Sequence, residues 1–292
     1  MPASEGDGLG IKNIQRGGGQ KLPPLFLQLK QRRKYMTEIL SAEGLSKHFG
    51  GLIAVNKANF SIKKDEVTGI IGPNGSGKTT LFNLLSGFFP PTEGRITFLG
   101  EDITHTPPHG RVMTGMVRTF QLVSVFNSMT VWENLVLSSI RFNERHTSLR
   151  KFFFSSAKKE DVLENCVKAM KLVGLQNKAF TITSELSYGS KRMLEIGIAL
   201  SLNPKLLLLD EPLSGLSDGE ISEVLGLLQE IKRNLTLVII EHKVSRIVNL
   251  VDRLCVMNEG NFICEGDPDH VLCDPKVREC YWGKSEMDQS IT

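Results

Sequence analysis

Three features of this 292-residue chain predict an α/β fold with a mainly parallel sheet, an N-terminal antiparallel β subdomain and an inserted α-helical subdomain. Short unbroken apolar runs, LLLLD at 206–210 and LTLVIIE at 235–241, have the length of strands buried on both faces of a parallel sheet. Between about Val131 and Lys178 only helix-period segments occur, among them WENLVLSSIRF and EDVLENCVKAMKLVGL. Strand-like stretches, ILSAEGL and LIAVNKANFSI, come first in the ordered part of the chain and fit antiparallel pairing.

Taken in order, the first 35 residues combine the glycines 17–19, the pair Pro23-Pro24 and a basic knot from Lys30 to Lys34. Such composition cannot bury a core, so a disordered basic extension is expected. The run LPPLFLQL is too short and proline-broken for a secretory signal. Met36 is read as the true initiator or the functional start of the fold. Strand patterns then fill Glu38 to Ile71, closing with VTGII ahead of Gly72. A helix follows from about Lys78, RITF reads as a strand, and residues 243–281 again alternate helix with strand. One domain over 36–283 is expected, with the helical subdomain at about 131–202 and a flexible tail at 284–292.

Charge excludes one class of partner. Seven Lys/Arg against Glu5 and Asp7 put +5 on the first 35 residues, which leaves the rest of the chain at −2. A body of that sign does not match a nucleic-acid backbone. The longest purely aliphatic runs, Leu206–Leu209 and Leu237–Ile240, fall far short of the roughly 18 to 20 residues of a spanning helix. The five cysteines are odd in number and lack C-x-x-C spacing, as expected of free thiols in a reducing compartment.

The chemistry is concentrated in two strings. Gly72-Pro73-Asn74-Gly75-Ser76-Gly77-Lys78-Thr79 stands between a predicted strand and a predicted helix, the context of a phosphate-binding loop. Glycines let backbone N–H groups wrap phosphate oxygens, and the helix N-terminus adds partial positive charge. Lys78 supplies a point charge to the β- and γ-phosphates, and the Thr79 hydroxyl suits Mg²⁺. Thr80, next along, is grouped with these binding residues. In Lys205-Leu206-Leu207-Leu208-Leu209-Asp210-Glu211-Pro212 an apolar strand delivers two carboxylates to its carboxyl edge, where open α/β sheets bind ligands. Asp210 suits holding Mg²⁺ through its water shell, and Glu211 suits accepting a proton from an attacking water.

The order of further motifs carries a resemblance. After the phosphate loop come Gln121 in VRTFQ, a helix start Leu186-Ser187-Tyr188-Gly189-Ser190, the Asp-Glu strand end, and LVIIEH ending at His242. With these in order from about Glu38 to Gly283, the chain resembles the ATP-binding subunit of an ATP-binding cassette (ABC) transporter, a P-loop NTPase. The resemblance implies ATP and Mg²⁺ as cofactors. It implies that Ser187 and Gly189 belong to a signature contacting ATP held by the other subunit, and that Gln121 senses Mg²⁺ and the membrane partner. Ser214 to Asp218 would line the dimer seam, His242 would hold the γ-phosphate and water, and Phe49, in KHFGG, would stack on adenine. Ser190 stands where the family usually has Gln, and Lys243 where it commonly has Asp.

The strings SKHFGGLIAV, GMVRTFQ, SMTVWENL, LSYG, IEH and the ending VREC-YWG are most similar to the ATPases of branched-chain amino acid and urea or amide importers. That resemblance implies transmembrane permease subunits, a second ATPase subunit, identical or paralogous, and indirectly an extracytoplasmic substrate-binding protein. It implies a peripheral location on the cytoplasmic face of the cell membrane. The rival readings are a lipopolysaccharide-type exporter ATPase, disfavoured by RTFQ and the long helical insert, and a non-transport ABC ATPase, which usually carries two cassettes or a coiled-coil arm. A non-catalytic regulatory module would be expected to lack Lys78 or Glu211. The segment Arg150–Lys159, with Phe152–Phe154 amid basic residues, reads either as a small helical core or as a surface for lipid or permease.

Overall fold

The computed structural model describes residues 38–143 and 156–282. The expectations for 1–35, for Phe152–Phe154 and for 284–292 therefore lie outside the described residues.

The first two strands, β1 (Glu38–Phe49) and β2 (Leu52–Lys63), pair antiparallel around the turn at Gly50 and Gly51. With β4 (Glu93–Phe98) and β5 (Glu101–Asp102) they form a four-stranded sheet in the order β2-β1-β4-β5. VTGII, β3 (Val67–Ile71), leaves this sheet and becomes an inner strand of a second one. That sheet has the order β10-β9-β3-β8-β7-β6, with β6 at Met116–Arg118, β7 at Leu206–Asp210, β8 at Thr236–Ile240, β9 at Arg253–Asn258 and β10 at Asn261–Gly266. All its pairings are parallel except β9 with β10, a hairpin at the edge.

The unbroken apolar runs have a direct explanation in the packing. On β7, Leu207 and Leu209 enter one core, whereas Leu206 and Leu208 enter another on the opposite face. On β8, Leu237 and Ile239 divide from Val238 and Ile240 in the same way. Because strand side chains alternate between faces, a sheet covered on both sides needs apolar residues at every position.

The first core joins the sheet to α3 (Val131–Asn143), α4 (Ser156–Leu172), α5 (Tyr188–Ser201) and α6 (Asp218–Ile231). The second joins it to α1 (Lys78–Leu85) and the antiparallel sheet, through Phe82, Leu40, Ile62 and Phe98. At the end of α1, Arg111 of α2 (Pro108–Thr114) answers the orphan carbonyls of the last turn. Its Nη1 donates to Leu84 O and Leu85 O, each at 2.7 Å. Burial pushes this guanidinium down to about 10, and its contacts on carbonyl oxygens fix α1 against the loop that follows β5. The remaining α-helices among the described residues are α7 (Val244–Ile247), ahead of β9, and α8 (Pro268–Cys273) and α9 (Pro275–Trp282), after β10.

Candidate functional site

A cleft of about 670 Å³ opens where β3, β7 and β8 end. One wall is the β1–β2 hairpin, with Phe49, Leu52 and Ile53; the base is the loop 74–80; Gln121, Glu211 and His242 face it. The parallel strands deliver their carboxyl ends to one edge, so residues far apart in sequence meet there.

The loop's glycines are forced by their surroundings. A Cβ on Gly72 would run into the Met257 carbonyl, and one on Gly77, at φ +99°, into the Ala54 carbonyl. Gly77 is the N-cap of α1, so the N–H groups of the first helical turn, at Lys78, Thr79 and Thr80, lack intrahelical acceptors and open toward the cleft. Lys78 Nζ donates to Gly72 O at 2.8 Å, to Pro73 O at 2.9 Å and to Ser76 Oγ at 3.3 Å. Its pKa is lowered, chiefly by burial, with Glu211 and Asp210 acting against that. An ammonium held by neutral oxygens alone, beside free helix-terminal amides, is chemistry that suits a phosphate.

Asp210 is buried, and its Oδ2 accepts from Arg118 Nη2 at 2.7 Å. Arg118, on β6, also donates through Nη1 to Asn83 Oδ1 (2.7 Å) and Ser86 Oγ (2.9 Å) of the α1 segment, between the rings of Phe82 and Phe120. Burial lowers the Arg118 pKa and the Asp210 bond raises it. Asp210 thus stands behind the cleft, linked to the phosphate-loop helix. Glu211 is in the cleft and almost fully buried, at φ +47°. Its Oε2 accepts from Gln121 Nε2 at 2.8 Å, and its Oε1 lies 2.5 Å from His242 Nε2. Two predicted residues thus converge on the carboxylate of a third. The Thr79 hydroxyl and the Gln121 side-chain carbonyl, both of cleft-lining residues, are oxygen donors that fit Mg²⁺, and the Asp210 carboxylate, behind the lining and paired with Arg118, would act through the ion's water shell.

Phe49 is 43% exposed and meets Phe89 edge-on at 5.7 Å, with Lys47 Nζ 5.2 Å from its ring centroid. Ser187 and Gly189 do not line this cleft. Ser187 caps α5, its Oγ accepting from Ser190 N at 3.1 Å. Gly189 N donates to Glu220 Oε1 at 3.0 Å, and a Cβ there would strike that carboxylate. Ser190 Oγ accepts from Lys178 Nζ at 3.2 Å, and Lys243 is exposed outside the cleft lining.

Sequence reasoning missed Arg118, Arg192, Glu195, Glu220 and Glu241. Glu220 had a readable signal, since Ser217-Asp218-Gly219-Glu220 is a capping box and its carboxylate also accepts from Ser217 N and Oγ. Glu241 Oε1 accepts from Leu213 N at 2.9 Å, and its pKa is raised, chiefly by burial.

A phosphate-accepting loop, a carboxylate poised beside it and a parallel sheet define a nucleotide-hydrolysing cassette. The family model described as ABC transporter matches residues 55–214. The "probable branched-chain amino acid transport ATP-binding protein LivG" of Methanocaldococcus jannaschii is 38% identical over 254 residues, covering 85% of this chain and 98% of that protein. The high-affinity branched-chain amino acid transport ATP-binding protein LivG of Escherichia coli K12 is 35% identical over 257 residues, covering 85% and 98%. Among solved structures, a nucleotide-free ATP-binding cassette from an ABC transporter superposes with a TM-score of 0.74 at 37% identity, covering 85% of this chain and all of that one. The ADP conformation of such a cassette gives 0.75 at 38% identity, covering 85% and 99%. The chain belongs to the ABC transporter family as a nucleotide-binding, ATP-hydrolysing cassette. No helix among the described residues is long and apolar enough to cross a membrane.

Proposed function

We propose that this chain is the ATPase of an importer for branched-chain amino acids, with urea or amides as the second candidate cargo, docked on permease subunits at the cytoplasmic face of the cell membrane. The convergence of Gln121 and His242 on Glu211, opposite Lys78 in one cleft, carries the catalytic half of this reading. The names of the relatives support the cargo. The cassette is taken as residues 36–283, with 131–202 as its helical subdomain.

In this reading Phe49 offers its exposed face to adenine. Asn74, Gly75, Ser76 and Gly77 bring backbone amides to the phosphates, with Gly72 and Pro73 holding the loop's base. Lys78 releases its loop carbonyls and turns to the β- and γ-phosphates. Thr79 and Gln121 would hold Mg²⁺, with Asp210 acting through its water shell, and the ion would neutralise charge developing on the phosphate oxygens. Glu211 takes a proton from the attacking water while His242 fixes the γ-phosphate side. Ser187 and Gly189, outside their own chain's cleft, face the ATP of a second cassette, the same chain or a paralogue. A binding protein outside the membrane delivers cargo to the permease.

The test is reconstitution of the chain with its permease and binding protein in vesicles. Leucine-loaded binding protein is expected to stimulate ATP hydrolysis and inward transport together, and stimulation by urea alone would transfer the assignment. Outward movement of a lipid substrate would replace it with the exporter.

A further inference from the structure

The segment Thr119–Met129 contains no helix or strand, yet Phe120 and Gln121 are held by backbone contacts to two buried charges of α5. Arg192, fully buried, donates through Nη1 to Phe120 O at 2.9 Å and through Nη2 to Gln121 O at 2.6 Å. The same Nη1 lies 2.7 Å from Glu195 Oε2. Glu195 Oε1 accepts from Phe120 N at 3.3 Å, and the Ser124 amide also donates to this carboxylate. The protein contacts of this ion pair therefore fall largely on the main chain of one short segment, with Tyr188 OH at 3.3 Å as an additional partner.

An interior ion pair is weak evidence for stability, because desolvation offsets most of its attraction. Burial indeed raises the pKa of Glu195, with Arg192 opposing it. The pair does fix position. Arginine's rigid planar fork grips the two successive carbonyls through two separate nitrogens and keeps Nη1 on Glu195 as well, a fixed geometry that a lysine ammonium on its flexible stem does not reproduce. Phe120, Gln121 and Leu122 are all exposed, but Gln121 alone of them also reaches back to Glu211 with its side chain.

We propose that Arg192 and Glu195 are positioning residues for the hydrolytic reaction: they bind the 120–124 backbone to α5, so that the Gln121 amide meets Glu211 only when α5 is in register. This rests on the reading of Gln121 and Glu211 given above. The helix that begins with Ser187 and Gly189 is thereby tied to the carboxylate in its own chain's cleft, and its displacement carries Gln121 with it. A misplacement of about 1 Å at a reacting group costs up to roughly 100-fold in rate.

Arg192→Lys and Glu195→Gln in the full chain test this, each alone and combined with Gln121→Ala. Expected are ATP affinity close to wild type, a kcat reduced roughly 10-fold or more, and faster hydrogen exchange at the Phe120 and Ser124 amides with unchanged exchange in β7. In the Gln121→Ala background, Arg192→Lys should lower kcat no further. A full second loss in that background, wild-type exchange at both amides, or faster exchange across the whole sheet would overturn the proposal. If Gln121→Ala alone hydrolyses at the wild-type rate, the role given to Gln121 fails, and the exchange data still report whether the clamp exists. Glu195→Gln guards against a folding defect in the arginine variant, since it keeps the shape of the pair.

Discussion

At the edge of the six-stranded sheet each charge is met from within the chain: Lys78 by loop oxygens, Asp210 by Arg118, and Glu211 by Gln121 and His242. At the start of α5 the arrangement is reversed. Ser187 and Tyr188 are exposed, and the bonds there run backward into the helix cap and sideways to Glu220, leaving the outer face open. The contrast separates a cleft whose charges are answered within the chain from a helix start whose outer face is open. In the proposed function, that outer face meets the ATP of a second cassette.

The largest expected effect breaks the cleft alone. Glu211→Gln should leave ATP affinity intact and slow turnover roughly 10²- to 10⁴-fold, the range of a positioned general base. Steady-state hydrolysis beside equilibrium nucleotide binding measures both, and normal turnover would remove Glu211 from the mechanism. Lys78→Ala comes next. Losing a charged donor to phosphate should weaken ATP binding roughly 10- to 100-fold, and a titration that overlays the wild type would sink the phosphate-loop assignment.

Ser187→Arg sharpens the comparison from the other side. In mixed assemblies with one altered chain, hydrolysis should halve, because only the partner's cleft loses its signature. Adding Glu211→Gln to the same chain should abolish the remainder, and adding it to the partner should change nothing further. The opposite pattern would mean that Ser187 serves its own cleft.

The smallest effect concerns Glu241, behind the cleft floor. Its raised pKa means that the native chain keeps this proton to higher pH than the unfolded chain does. The contribution is therefore complete below the ordinary carboxylate range and is lost as pH rises through the native value. Glu241→Gln keeps an acceptor for Leu213 N and cannot ionise. Its unfolding midpoint should gain on the wild type as pH rises from acid to neutral, and parallel profiles would refute the assignment.

What could be read in advance follows the range of the forces involved. The loop 72–79 and the run 206–211 are sequence-local, so their strand and helix flanks identified them. The doubly covered sheet was legible because alternate leucines of one run serve two cores. The three residues of β6 are too few for a periodic signal, and nothing local shows that β3 abandons β1 and β2 for another sheet. Arg118 meets Asp210 from 92 positions away, and Arg192 meets Phe120 from 72, distances at which spacing carries no information. Neither arginine carries a local pattern that marks it as buried, and only tertiary packing makes them buried connectors. Glu220 is the exception, since its capping box is local although its bond to Gly189 is not.

The backbone at Glu211 has a consequence for how this chain tolerates change. A non-glycine residue at φ +47° stands in the left-handed region that glycine enters freely, at a cost of order 1–3 kcal/mol for such strained sites. Directed evolution for heat resistance alone, with ATP turnover left unselected, would therefore be drawn to glycine here. A thermostability screen blind to turnover would press against the very residue on which the proposed hydrolysis depends.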